Sequence, residues 1–142
     1  MANDWFYWAI CSAVFAAMTA IFAKIGLQGI DSDLATLLRC IVIIATLSCF
    51  VLIAGKWRNP LELAPKTLLF LILSGLATGA SWVCYFRALQ VGAASKVAPV
   101  DKLSLVLVAV FAVIFLNERP SPREWIGIAL VGVGVLVLGL KR

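Results

Sequence analysis

The sequence predicts an all-α integral membrane protein with five transmembrane helices. Of its 142 residues, 63% are hydrophobic and 13% are charged, and the mean hydropathy is +1.07. Such a chain has too few polar side chains to give a soluble fold a wettable surface. Its apolar runs have the length of membrane-spanning helices, and none alternates every second residue as a transmembrane strand would. The expected helices cover residues of about 5–24, 34–54, 67–89, 95–116 and 123–140.

The composition argues against several other classes of protein. The formal charge of +5 comes from twelve basic and seven acidic residues that are spread over loop positions, so no surface for nucleic acid is predicted. The chain has no histidine, and Cys11, Cys40, Cys49 and Cys84 each lie alone in an apolar run, so neither a metal site nor a disulfide framework is predicted. Nucleotide-binding and nucleophile motifs are missing. We therefore expect no enzymatic activity and no cofactor.

The first two apolar runs carry features of membrane helices. The aromatic cluster of residues 5–8 suits the membrane boundary, and the leader before it lacks the basic region of a signal peptide, so this helix is expected to remain in the protein. In the second run, Arg39 lies a little over one turn inside. Its side chain either snorkels to the interface or lines a polar cavity.

The third run contains a packing signal followed by polar aromatic residues. Gly75 and Gly79 form a small-xxx-small pattern, which predicts close contact between helix backbones. Trp82 and Tyr85 are three residues apart and share a helix face. They either stack on a substrate or belong to an interfacial aromatic belt, and the sequence favours neither.

The fourth run holds an acid and a base inside an apolar helix. Asp101 and Lys102 follow Pro99, and Lys102 is expected roughly 8–13 Å below the helix start, a depth at which ionisable residues are usually functional. Alternatively, Pro99 marks the first turn and Lys102 snorkels to the headgroups. Asp101 lies on a stripe of small residues and is expected to face the bundle. Lys102 is rotated from it by about 100°, so the two are predicted to have different partners.

Six short motifs occur in order along nearly the whole chain: Ala23-Lys24, Leu38-Arg39, Tyr85-Phe-Arg-Ala-Leu89, Ala98-Pro-Val100, Asn117-Glu-Arg119 and Gly127…Gly132-Val-Gly134. Together they resemble the EamA domain of the drug/metabolite transporter superfamily. The resemblance implies a transporter of ten helices, built as two inverted five-helix repeats with the substrate cavity between them. This chain is similar to the short members that supply one half and work as a pair of chains. The expected location is the cell membrane, or inner membrane, of a bacterium or archaeon.

The small multidrug resistance proteins are similar in size but differ in their carboxylates. They have four helices and a glutamate in the first helix that couples transport to protons, whereas this chain has a fifth span and no glutamate there. Asp101 or Glu118 could substitute for it. Glu118 lies at a helix end beside Arg119 and Pro120, so we favour a structural role for it in fixing the turn.

Two functions are consistent with these features. The first is a secondary carrier or exporter of a small organic solute, acting as a dimer with alternating access around a midplane cavity. The second is a non-transporting membrane subunit or assembly partner. The candidate substrate-binding or pathway residues are Arg39, Trp82, Tyr85, Asp101 and Lys102. The candidate structural residues are Gly75, Gly79, Pro99 and Glu118, and no metal ligand is predicted.

The basic residues are balanced between the two sides of the predicted bundle. The side of the N-terminus carries Lys56, Arg58, Lys66, Arg119 and Arg123. The other side carries Lys24, Arg87, Lys96, Lys141 and Arg142. The positive-inside rule then gives no preferred orientation, so the chain is expected to insert both ways. We predict an antiparallel homodimer with dual topology; a homologous half-transporter is the alternative partner.

Overall fold

The computed structural model describes residues 4–139, with the side chains of Asp4 and Leu61 left aside. Its helices are α1 (Asp4–Gly26), α2 (Ser32–Ile53), α3 (Pro65–Val91), α4 (Ala94–Asp101), α5 (Leu103–Leu116) and α6 (Pro122–Gly139), with a 3₁₀ turn at Pro60–Glu62. Within these residues, five segments are long and apolar enough to cross a membrane, with α4 and α5 together forming the fourth. The predicted all-α fold with five spans is confirmed. The predicted helix end at residue 140 and the last two basic residues lie outside the described range.

The start of α2 is set by a capping side chain. Oδ1 of Asp31 accepts hydrogen bonds from the backbone N–H groups of Asp33 (2.9 Å) and Leu34 (3.2 Å). These bonds satisfy donors that have no partner within the first turn of a helix. The helix therefore begins at Ser32, two residues before the predicted boundary.

In the short connection between α5 and α6, local residues cap both helix ends. Asn117 adopts the left-handed conformation (φ 54°) that ends many helices. The backbone N–H of Ser121 donates to Oε2 of Glu124 (2.5 Å), and the N–H of Glu124 donates to Oγ of Ser121 (3.4 Å). Pro122 occupies the first position of α6, where a missing N–H costs nothing. This reciprocal capping box fixes the direction in which α6 leaves the connection.

The described residues form two compact units. In one, which covers residues 22–91, α2 packs against α3, and Phe86 and Leu89 are almost completely buried. In the other, which covers residues 4–21 and 92–139, α4, α5 and α6 pack together around Val135. Most large apolar side chains are exposed, as expected where a chain faces lipid or another membrane chain rather than water.

The fourth span is interrupted at Lys102, although the sequence predicts one continuous helix over 95–116. Pro99 is the sixth residue of α4 rather than part of its first turn. It has no N–H to donate to the carbonyl of Ser95, which weakens the helix at this point. The next turn is tightened: the N–H of Lys102 donates to Pro99 O and the N–H of Leu105 to Lys102 O, both at 3.0 Å. The interruption is thus one tightened turn, in which Lys102 keeps right-handed dihedral angles (φ −69°, ψ −4°) within a span that continues from Ala94 to Leu116.

Only one glycine of the motif near the C-terminus is in close contact with a neighbouring helix. A Cβ atom at Gly132 would lie 3.3 Å from Cγ2 of Val106 on α5, whereas one at Gly134 would meet nothing within 4 Å. We expect Gly132→Leu to destabilise the protein by about 1–3 kcal/mol, because the longer side chain forces α5 and α6 apart. Gly134→Leu is the matched control and should melt near the wild-type temperature in detergent. Equal melting temperatures of the two variants would contradict this packing.

The glycine pair of α3 differs from Gly132 in making no close contact with another helix of the described chain. A Cβ atom at Gly75 or at Gly79 would meet nothing within 4 Å, and both residues are exposed. The close helix contact predicted from this pair is therefore not made within the described chain. A contact between chains stays a prediction.

Candidate functional site

The side chain of Arg39 lies against two aromatic rings of α3. Its guanidinium carbon is 4.7 Å from the ring centroid of Trp82 and 5.1 Å from that of Phe86. Arg39 is seven residues past Ser32, which places its backbone about 10 Å inside the span. Cation–π attraction is strongest where the cation is shielded from water, so the two rings hold this charge against α3 at membrane depth.

The sequence analysis named Trp82 and Tyr85 but missed Phe86. Phe86 is four residues after Trp82 and therefore lies on the same helix face, which is the signal that could have found it. The ring of Tyr85 packs edge-on against that of Phe86, with centroids 6.2 Å apart. The structure thus brings Arg39, Trp82 and Phe86 together, with Tyr85 beside them.

Three polar contacts join the end of α3 to the end of α1, to the connection after it and to the start of α2. The guanidinium of Arg87 donates to both carboxylate oxygens of Asp33, at 2.9 and 2.5 Å. Nε2 of Gln90 donates to Ile30 O (3.0 Å), and Nζ of Lys24 donates to Leu89 O (2.5 Å). The last bond satisfies a carbonyl near a helix C-terminus, where a positive charge is also favoured by the helix dipole.

These contacts set the register in which Arg39 meets its aromatic neighbours. The ion pair joins position 33 to position 87, and the cation–π contact joins position 39 to position 82. The two pairs are six residues apart on α2 and five apart on α3, as antiparallel helices in one register require. The bidentate pair of Asp33 and Arg87 near the helix ends therefore positions the Arg39 site deeper in the span.

Asp101 and Lys102 form an ion pair, with 3.7 Å between Oδ2 and Nζ. The prediction that they have different partners is wrong. The lysine side chain is long enough to turn back on the preceding residue, and Lys102 stands at the helix interruption rather than on a regular helix face. Both side chains are partly exposed within the chain, so Asp101 is not enclosed by its own unit. The pair lies about 12 Å past Ala94 along the helix axis.

An open groove of about 660 Å³ runs between α5 and α6. The small residues Ala109 and Ala112 of the predicted stripe line it, and Glu118 contributes to its charged lining. The backbone N–H of Glu118 donates to Ala112 O (3.2 Å) at the end of α5. The structural role favoured for the Glu118 carboxylate stays a prediction. Within the described residues, no cluster of three or more His, Cys, Asp or Glu side chains could hold a metal ion.

Residues 4–140 of this chain match the EamA-like transporter family. The chain belongs to this family. A protein of a Sinorhizobium species named "Uncharacterized transporter in cobO 3'region" is 51% identical over 140 residues, which is 99% of each chain. An uncharacterized protein of Methanocaldococcus jannaschii is 26% identical over 92% of each chain. The probable 4-amino-4-deoxy-L-arabinose-phosphoundecaprenol flippase subunit ArnE of Hamiltonella defensa is 30% identical over 52% of this chain and 67% of its own length. No solved structure is significantly similar.

The described part of the EamA chain contains five candidate spans. Several motifs that carry the family resemblance meet one another in the fold. Lys24 of the first motif contacts Leu89 of the third, and Arg39 of the second contacts Phe86 of the third. Three of the six motifs therefore contribute contacts that join α3 to α1 and to α2.

Proposed function

We propose that this EamA protein is a secondary carrier or exporter of a small organic solute. The ion pair of Asp101 and Lys102, which lies at the interruption of the fourth span, carries the proposal. Irregular backbone and charged side chains at membrane depth are tolerated where they line a polar cavity, and many transporters bind their substrates at such discontinuous helices. Membership of a transporter family supports the same function.

In this proposal the pathway residues are Asp101 and Lys102 in one unit and Arg39, Trp82 and Tyr85 in the other. The carrier works as a dimer with alternating access around a cavity near the bilayer midplane, so that two five-helix chains supply what an inverted repeat supplies in one polypeptide. It acts without a metal, a cofactor or an enzymatic step. We propose the cell membrane, or inner membrane, as its location, and the occurrence of similar proteins in a bacterium and in an archaeon supports this proposal.

Reconstitution tests the proposed function directly. The purified protein is inserted into liposomes, which are screened with a pool of metabolites and with a dye that reports a proton gradient. Accumulation or loss of a solute that requires the protein supports the carrier. Protein-dependent flux that appears only when a second EamA chain is co-reconstituted supports a heteromeric transporter with a homologous half as partner.

The alternative is a non-transporting membrane subunit or assembly partner. The observation that favours it is the similarity of about half of this chain to a protein named as a flippase subunit. A subunit of this kind would be recovered in complex with other membrane proteins. It would carry no solute in any of the liposome preparations.

If the protein is a dimer, the exposed glycine pair of α3, Gly75 and Gly79, is expected to lie in the contact between the two chains. We expect Gly75→Leu combined with Gly79→Leu to shift the purified protein from dimer to monomer, because a second copy can no longer approach the α3 backbone closely. Helix content should stay at the wild-type level, since the structure has space for both side chains within the chain. Light scattering of the protein in detergent measures the change. Ala77→Leu, on the opposite face of α3, is the control, and a double variant of wild-type size would show that this face contacts only lipid.

A further inference from the structure

We propose that Arg39 binds an oxyanion, a carboxylate or a phosphate, presented either by the transported solute or by a lipid headgroup. This inference deepens the proposed function and, for the solute, rests on it. It starts from the surroundings of the guanidinium, whose carbon lies over the rings of Trp82 and Phe86, 4.7 and 5.1 Å from their centroids. A cation–π contact attracts the charge but supplies no oxygen acceptor for the N–H groups of the guanidinium.

Those N–H groups have no acceptor among the described residues. Arg39 makes only its two ring contacts there, and no hydrogen bond or ion pair. A guanidinium that lies in an apolar span without an anion is unfavourable, because neither water nor a carboxylate offsets its loss of hydration. The ring contacts offset part of this cost and do not satisfy the donors.

The acids of the same unit either have other partners or lie beyond the far end of α2. Residues 22–91 contain three: Asp31, Asp33 and Glu62. Asp31 accepts two backbone N–H groups as the cap of α2, and Asp33 is paired with Arg87. Glu62 lies in the 3₁₀ turn beyond the far end of α2. The counter-charge for Arg39 is therefore expected from outside this unit.

The chemistry of the site indicates what that counter-charge is. The in-plane fork of an arginine matches the paired oxygens of a carboxylate or a phosphate, which it binds by two parallel hydrogen bonds. Arg39 is only partly buried, so a ligand can reach it. The rings of Trp82 and Phe86 would lie beside the apolar body of such a ligand.

The test uses the melting temperature of the purified protein in dodecyl maltoside, a detergent without phosphate. The probes are benzoate and phenyl phosphate, with benzamide as the uncharged control and chloride to hold the ionic strength constant. Dihexanoyl phosphatidylglycerol supplies the lipid headgroup. A ligand that binds only the folded protein raises its melting temperature with saturation.

We expect benzoate or phenyl phosphate, and not benzamide, to stabilise the wild-type protein. R39Q should lose this response and should melt no lower than the wild type without ligand, because an uncompensated charge has been removed. R39K should bind about tenfold more weakly, since it keeps the charge without the fork. R58Q removes an exposed arginine from the loop between α2 and α3 and should respond like the wild type.

A response to the soluble anions assigns the site to a solute, and a response to the short-chain lipid alone assigns it to a headgroup. The inference is overturned if no anion stabilises the wild type, or if R39Q responds equally well. Flux separates this result from the proposed function. Anion binding by a protein that carries no solute would contradict the proposed carrier function and support the anion site. Wild-type flux by R39Q, without anion binding by either protein, would support the carrier function and overturn the anion site.

Discussion

Lys102→Met is expected to reduce solute flux by about tenfold or more, equivalent to about 1.4 kcal/mol or more of lost stabilisation in the transport cycle. Methionine keeps the length and most of the apolar stem of lysine, so insertion and dimerisation should be unchanged. The ammonium is lost, and Asp101 is left without its partner at 3.7 Å inside the span. Initial rates of uptake into liposomes, normalised to the amount of inserted protein, measure the effect.

Two further variants make the Lys102 result specific. Arg58→Met removes a basic residue from an exposed loop and should transport at the wild-type rate. Asp101→Asn combined with Lys102→Met should transport no worse than Lys102→Met alone if the two residues act as one pair. The hypothesis of a functional ion pair is abandoned if reconstituted Lys102→Met transports at the wild-type rate.

Dual topology is expected to expose each connecting loop on the outside of the cell in about half of the molecules. The reason is the balance of basic residues, which gives the insertion machinery no preferred orientation. Single cysteines at Asn59→Cys and at Gly92→Cys report the two sides. They are introduced one at a time into a protein without its four native cysteines. An impermeant thiol reagent applied to intact cells should label both variants to similar extents.

A charge variant provides the matched control for orientation. Lys56→Gln with Arg58→Gln removes two basic residues from one side only. The loop between α2 and α3 should then lie outside the cell in more of the molecules. Labelling at position 59 should then rise and labelling at position 92 should fall. If the unaltered chain labels at only one of the two loops, dual topology is wrong, and a heteromeric or parallel arrangement takes its place.

Local sequence was sufficient for the class of fold and for the positions of the spans. A bilayer selects helices by length and apolarity, and both are properties of a continuous stretch that need no partner. The boundaries that the sequence analysis missed were also local. Asp31 as a cap and the Ser121…Glu124 capping box could have been recognised from their spacing. Pro99 signalled a weakened helix, although its consequence falls three residues later at Lys102.

The partners of the charged side chains were decided only by the tertiary structure. Arginine and lysine have long, flexible side chains, so a helix position does not determine what the charged end contacts. Arg39 could have reached the interface, but the register set by Asp33 and Arg87 places it on Trp82 and Phe86. The two glycine motifs differ for a similar reason. A small residue permits close packing, but only the neighbouring helix decides whether it occurs, as it does at Gly132 and not, within this chain, at Gly75.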